Sequence, residues 1–122
     1  MPSVQLDRVT INTANLPDML EFYRAIGLDL QTKKISLGSQ VYTTRLGEIE
    51  FQLYSINIKD PMATPPLQMS FEVDDIEAVF AQLSLLRGVD VIMEPTELAD
   101  GKRAIVLDPD GQSVEVIQPL KL

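Results

Sequence analysis

The chain offers few of the side chains that usually carry out catalysis or bind metals. Its 122 residues include no histidine and no cysteine. A Ser-His-Asp triad, a thiol nucleophile and a cysteine zinc site are therefore excluded. We expect any general base to be a glutamate or an aspartate.

Two clusters of carboxylates have simpler explanations than catalysis. Asp74, Asp75 and Glu77 stand at the start of a predicted helix, where capping and the helix dipole favour acidic residues. The segment Asp108-Pro-Asp-Gly111 lacks the ligand spacing of a calcium-binding EF-hand loop. It is typical of a turn between two strands.

A second set of polar residues lies on the predicted strands, where residues two apart share a face. One face is apolar and is expected to pack on helices; it carries Val9, Ile11, Ile49, Phe51, Leu53, Met69, Phe71, Val73, Val114 and Val116. The opposite face is polar except for one isoleucine; it carries Arg8, Thr10, Asn12, Gln52, Tyr54, Gln68, Ser70, Glu72, Ser113, Glu115 and Ile117.

This polar face has two interpretations. It is either a ligand-binding surface rich in amides and hydroxyls or a solvated sheet face stabilised by an ion pair. In both cases we predict that Arg8 and Glu115 lie within ion-pair distance of each other.

The elements that carry these residues occur twice, at a spacing of about 60. Residues 8–30 and 68–91 each begin with strand-like alternation, followed by a capping side chain at Asn15 or Asp75. An amphipathic helix follows in each half, with apolar stripes at Leu16, Met19, Leu20, Tyr23 and Ile26, and at Ile76, Val79, Phe80, Leu83 and Leu86. Gly27 and Gly88 are placed to end these helices in a left-handed conformation. Phe22 and Tyr23 are expected to belong to the core.

Three strand-like runs complete each half. They cover 28–35, 40–46 and 48–56, and then 89–93, 103–107 and 113–118. The proline-containing stretch 57–66 suits a linker better than a strand. The sequence thus predicts an α+β chain with two βαβββ modules, at about 4–56 and 67–119, in a single domain that spans 1–122.

The composition of the chain limits the classes of partner that it can bind. The hydrophobic content of 45% and charged content of 23% are those of a globular protein. A net charge of -8 disfavours nucleic acid and anionic membranes. No apolar run approaches the roughly 18 residues that a membrane span needs. The N-terminal segment does not have the pattern of a signal peptide, so we expect a cytoplasmic location.

These features together resemble the vicinal oxygen chelate superfamily, which includes glyoxalase I, extradiol dioxygenases and bleomycin resistance proteins. The resemblance rests on Asn15-Leu16, Phe22-Tyr23, Gly27-Leu28 and Val73-Asp74-Asp75, and on 107–111 with 114–116. It implies two paired βαβββ modules that form a curved mixed sheet around a cleft, and it commonly implies a homodimer.

The resemblance also marks four positions where metal-binding members place their ligands. In this sequence these are Arg8, Gln52, Gln68 and Glu115. Arginine is cationic and has no lone pair to donate, while amide oxygens are weak ligands for zinc, nickel or iron. We therefore predict no metal and no cofactor. The polar cleft is expected to bind a small molecule through Arg8, Thr10, Gln52, Tyr54, Gln68, Ser70 and Glu115.

Three functions remain open at this point. The first is a metal-independent small-molecule-binding protein similar to drug-sequestering resistance proteins, which enclose ligands between subunits. The second is a metal-independent lyase or isomerase with Glu115 as general base and with Arg8 or Gln68 stabilising an enolate-like anion. The third is a degenerate module that serves only in dimerisation.

Overall fold

The computed structural model of the chain describes residues 5–33, 40–56 and 68–120. The first module contains β1 (Arg8–Thr13), α1 (Leu16–Ile26), β2 (Gln31–Lys33), β3 (Val41–Leu46) and β4 (Ile49–Ser55). The second contains β5 (Met69–Glu72), α2 (Ile76–Leu83), β6 (Asp90–Leu98), β7 (Gly101–Leu107) and β8 (Ser113–Pro119). The predicted linker, 57–66, lies outside the described residues.

Each module forms a four-stranded mixed sheet of the same topology. The strand orders are β1-β4-β3-β2 and β5-β8-β7-β6. The first strand of each module pairs in parallel with the last strand, and the remaining pairs are antiparallel. The α+β fold with two βαβββ modules is therefore confirmed.

The apolar face that strand alternation predicts forms the core. Phe51, Leu53, Val114 and Val116 are buried among the helical side chains, and the stripe of α1 is buried along its whole length. Phe22 and Tyr23 are both fully buried, as expected of core residues. Burial of this face turns the opposite, polar face of each sheet away from the core.

A buried hydrogen bond connects the two modules. The Tyr23 hydroxyl on α1 donates to Oδ2 of Asp108 at 2.7 Å. Asp108 follows the last residue of β7 and opens the predicted turn. Its Oδ1 accepts from the backbone N–H groups of Asp110 and Gln112 at 2.9 Å each. The Tyr23 ring also contacts the ring of Phe71, with centroids 6.1 Å apart.

Two predictions about helix ends are wrong. The Asn15 side chain makes no capping hydrogen bond, whereas the Asp75 side chain accepts from the Ala78 N–H at 3.2 Å. Gly27 ends α1 with φ at 125°, as predicted. Helix α2 instead ends at Leu83, because the next residues form tighter turns, and Gly88 (φ 79°) lies in the connection to β6.

Candidate functional site

The seven predicted ligand-binding residues fall into two groups, one on each sheet. On the first sheet Thr10 pairs with Gln52, and Arg8 and Tyr54 share their face two residues away. On the second sheet Ser70 pairs with Glu115, and Gln68 stands exposed just before β5. The two pairs occupy equivalent positions in the two modules, as the repeat requires.

Glu115 is the most enclosed charged residue of the second group. Its side chain is 14% exposed. Oε1 accepts from the Ser70 hydroxyl at 2.8 Å, and Oε2 accepts from Nη1 of Arg103 at 3.2 Å. Nη2 of Arg103 donates to Asp100 at 2.6 Å, and this hydrogen bond lowers the pKa of Asp100 and raises that of Arg103. The Arg103 guanidinium on β7 therefore fixes the position of the Glu115 carboxylate on the neighbouring strand β8.

Apolar side chains surround this carboxylate. Ile105 on β7 is the direct partner of Glu115, and Ile117 is the direct partner of Arg103. Leu107 continues the same face opposite Ser113, and all three apolar side chains are half-buried. Strand alternation had already placed Ile117 on this face, whereas Ile105 and Leu107 were missed because they lie on β7 and faces were assigned only to the first and last strands of each module. The second sheet thus presents a small polar centre within an apolar surround.

The first sheet carries a different cluster, around Glu50. Oε1 of Glu50 accepts from Nε of Arg8 at 2.5 Å, and Oε2 lies 3.4 Å from Nζ of Lys33. The Thr43 hydroxyl donates to Oε2 at 3.0 Å. The hydrogen bond from Arg8 is the main reason why the pKa of Glu50 is lowered. Glu50 lies two residues before Gln52 on the same face, so alternation could have identified it.

The predicted ion pair between Arg8 and Glu115 is wrong. Arg8 lies on the first sheet directly opposite Glu50, whereas Glu115 lies on the second sheet next to Arg103. Each side chain therefore pairs within its own sheet.

The four positions marked by the resemblance do not suit a divalent transition metal. Arg8 is a cation that is bound to Glu50, and Glu115 already accepts hydrogen bonds at both oxygens. Gln52 and Gln68 would add only neutral amide oxygens. Within the described ranges, no group of three or more acidic, histidine or cysteine side chains could hold a metal ion.

No helix in the described part of the chain is long and apolar enough to cross a membrane.

Comparison with known proteins gives the same architecture. Residues 6–55, most of the first module, match the N-terminal family model called Bd2520-like, described as lactoylglutathione lyase-like. A search of curated protein sequences gave no match.

Solved structures match over nearly the whole chain. A glyoxalase family protein from Bacillus cereus has a TM-score of 0.74 at 18% identity, covering 99% of this chain and 97% of its own. TnmS3, an antibiotic-binding protein from Streptomyces sp. CB03234, has a TM-score of 0.69 at 23% identity, covering 98% and 99%. A glyoxalase/bleomycin resistance protein/dioxygenase family enzyme from Burkholderia phytofirmans has a TM-score of 0.70 at 19% identity, covering 96% and 100%. At these identities the likeness establishes the fold alone, and it confirms the fold that the resemblance to the vicinal oxygen chelate superfamily implies.

Proposed function

We propose that the chain is a small-molecule-binding protein that uses the polar face of its second sheet and needs no resident metal. One observation carries this proposal: a fixed carboxylate, Glu115, lies at the centre of a half-buried apolar surround that faces away from the core. Ligand sites typically combine an apolar lining with a few convergent polar groups. The antibiotic-binding neighbour supports the same use of this fold.

Glu115 is suited to orienting a ligand. Both of its carboxylate oxygens are held, by Ser70 and by Arg103. A carboxylate fixed in this way can accept a hydrogen bond from a ligand N–H or O–H group without first losing side-chain entropy. We propose that Ile105 and Ile117 contribute apolar contact area around that hydrogen bond and that Gln68 and Ser70 complete its polar surface. We propose that Arg8, Thr10, Gln52 and Tyr54 offer a ligand a second polar surface, on the first sheet.

The binding proposal is tested by ligand screening followed by mapping. A thermal-shift screen should include small carbonyl compounds, aromatic drugs and divalent metals, each with and without chelator. Compounds that raise the melting temperature are then titrated into ¹⁵N-labelled protein. We expect amide shifts along β5, β7 and β8, and we expect binding to persist in the presence of chelator.

A matched pair of variants identifies the site. Glu115→Gln should weaken binding at least about tenfold, because a hydrogen bond to a charged group contributes about 1.5–3 kcal/mol. Glu97→Gln neutralises an exposed carboxylate on β6 and should leave binding unchanged. Equal affinities for the two variants, or shifts confined to other surfaces, would contradict the proposal.

We also propose that the chain is a single cytoplasmic domain that forms a homodimer and binds neither nucleic acid nor membranes. Edge strands expose unpaired backbone groups, which a partner subunit can cover. The edge strand β6 additionally exposes Val91, Ile92 and Leu98. Light scattering at micromolar concentration should give twice the mass of the chain, and a monomer would refute the dimer.

A further inference from the structure

Two cationic side chains, Arg8 and Lys33, contact one carboxylate on the polar face of the first sheet, and a third, Arg45, lies beside it and donates to the backbone oxygen of Glu48 at 2.8 Å. Arg8, Glu50 and Arg45 are register partners on β1, β4 and β3, so they form a single row across three strands. Lys33 reaches the same carboxylate from β2. These four residues, here called the Glu50 cluster, carry three positive charges and one negative charge.

The second module shows that the fold does not require these charges. The internal repeat places Gln68, Ser113 and Leu107 at the positions of Arg8, Glu50 and Arg45. Ser113 and Leu107 are register partners, as Glu50 and Arg45 are. An uncharged row therefore suffices in the same strand geometry, so the strand pairing itself does not require the charges of the Glu50 cluster.

The cluster is arranged with its carboxylate inside and its cations outside. The Glu50 side chain is 15% exposed, whereas those of Arg8 and Lys33 are 48% and 43% exposed. One carboxylate cannot neutralise three cations, so the cluster keeps an excess of two positive charges on a chain whose net charge is -8. Because Glu50 already holds Arg8 and Lys33, an incoming anion has less side-chain entropy to overcome.

We propose that the Glu50 cluster binds the anionic group, a carboxylate or a phosphate, of a small organic ligand. The proposal rests on the proposed function, since it adds the charge of the ligand that the polar faces bind. Guanidinium groups match the planar geometry of carboxylate and phosphate oxygens, and the Lys33 ammonium adds a point charge. Gln52 and Thr10 form the next row on the same face and can accept or donate hydrogen bonds to the rest of the ligand.

The experiment uses four probes of similar size and different charge. Benzoate and phenyl phosphate are anionic, benzamide is neutral and benzylammonium is cationic. Each is titrated into ¹⁵N-labelled protein at low salt, and amide shifts are followed. We expect both anions to shift the amides of β1, β3 and β4, with weaker effects from benzamide and none from benzylammonium. Raising the ionic strength should weaken anion binding, since the cations are exposed. The ratio of the two anion affinities distinguishes a carboxylate ligand from a phosphate ligand.

Charge-removing variants locate the site. Arg8→Gln and Lys33→Gln should each weaken anion binding by about twofold to fivefold, the range that corresponds to losing one exposed ion pair. Lys102→Gln is the matched control, because Lys102 also pairs with a single glutamate, Glu77 at 3.6 Å, but lies outside the Glu50 cluster. Circular dichroism on all three variants confirms that they are folded. Using two independent variants keeps the test decisive if one of them is unstable.

The outcomes separate this inference from the proposed function. If benzamide binds the polar face as tightly as benzoate, or if Lys102→Gln weakens binding as much as Arg8→Gln, the anion site is refuted while small-molecule binding stands. If both anions fail to shift β1, β3 and β4 but uncharged compounds shift β7 and β8, only the anion site is refuted. If no compound of any charge shifts either polar face, both proposals fail.

Discussion

Replacing Tyr23 with phenylalanine should destabilise the fold and do so most strongly at neutral pH. The substitution keeps the ring, which packs against Phe22 and Phe51 with centroids 4.8 and 5.2 Å away, and removes only the hydroxyl. The lost hydrogen bond is to a buried carboxylate, Asp108, which is 1% exposed. A hydrogen bond to a charged group contributes about 1.5–3 kcal/mol, so we expect the free energy of unfolding to fall by about that amount.

The pH dependence of this loss follows from the pKa of Asp108. Burial raises that pKa above its ordinary value of 3.8, and the hydrogen bond from Tyr23 opposes the rise. A carboxyl with a raised pKa stabilises the folded state most when it is protonated, and this contribution is lost as the pH rises through the folded pKa. Removing the Tyr23 hydroxyl raises the pKa of Asp108 further. The effect of the substitution should therefore shrink at acidic pH, towards the roughly 0.5–1.5 kcal/mol of a neutral hydrogen bond.

Urea denaturation of the wild type and of Tyr23→Phe, repeated from about pH 4 to about pH 8, measures this prediction. Tyr42→Phe is the control, because the recorded contact of Tyr42 is through its ring, with Arg24 Cζ 5.5 Å from the centroid. It should change the free energy of unfolding by less than about 0.5 kcal/mol. Equal losses of stability in the two variants, or a Tyr23→Phe loss that grows on acidification, would refute this prediction.

Three further predictions concern stability. Gly101→Ala should unfold most of the protein, because the added Cβ would lie 2.3 Å from a backbone oxygen of β8. At Gly47 an added Cβ meets no atom within 4 Å, so Gly47→Ala should lower the free energy of unfolding by only the roughly 1 kcal/mol that a left-handed conformation costs. Thermal melts of the two variants compare these losses. The pKa of Glu50 is lowered in the folded protein, so the ionised side chain stabilises the fold at neutral pH. This stabilisation is lost as the pH falls below 4.5, the ordinary pKa of a glutamate. The melting temperatures of the wild type and of Glu50→Gln should therefore converge on acidification. Asp75→Ala should lower the free energy of unfolding by about 1 kcal/mol, because the Asp75 side chain caps α2. Asn15→Ala should lower it by clearly less, because the Asn15 side chain makes no capping hydrogen bond. Equal losses of stability in urea titrations would contradict this difference.

The helices and strands were predicted well because the residue patterns that indicate them are local. Alternation identified the strand faces, and the apolar stripes identified both helices, since each depends only on residues a few positions apart. The end of α2 was placed too late because Leu86 continues the apolar period, although the helix itself stops at Leu83. Apolar periodicity indicates which side chains are buried, and a side chain in a turn can be buried as well as one in a helix.

Which side chains pair with each other in the folded chain could not be predicted in the same way. The pairing of Arg8 with Glu50 depends on the parallel register between β1 and β4, which two segments about 40 residues apart establish only on folding. The burial of Asp108 is likewise set by packing against the other module, through Tyr23. An aspartate that opens a turn is ordinarily exposed, so its sequence context gives no sign of burial.

The difference between the two polar faces also bears on what the repeat can tell about function. The apolar faces of both sheets must cover a helix, and that requirement keeps them alike in the two modules. No such requirement acts on the polar faces, and they differ: the first gathers cations around Glu50, while the second surrounds Glu115 with Ile105 and Ile117. The two faces therefore offer different groups to a ligand, so we expect the Glu50 cluster and the Glu115 site to be separable by mutation, each variant weakening contacts on its own sheet alone.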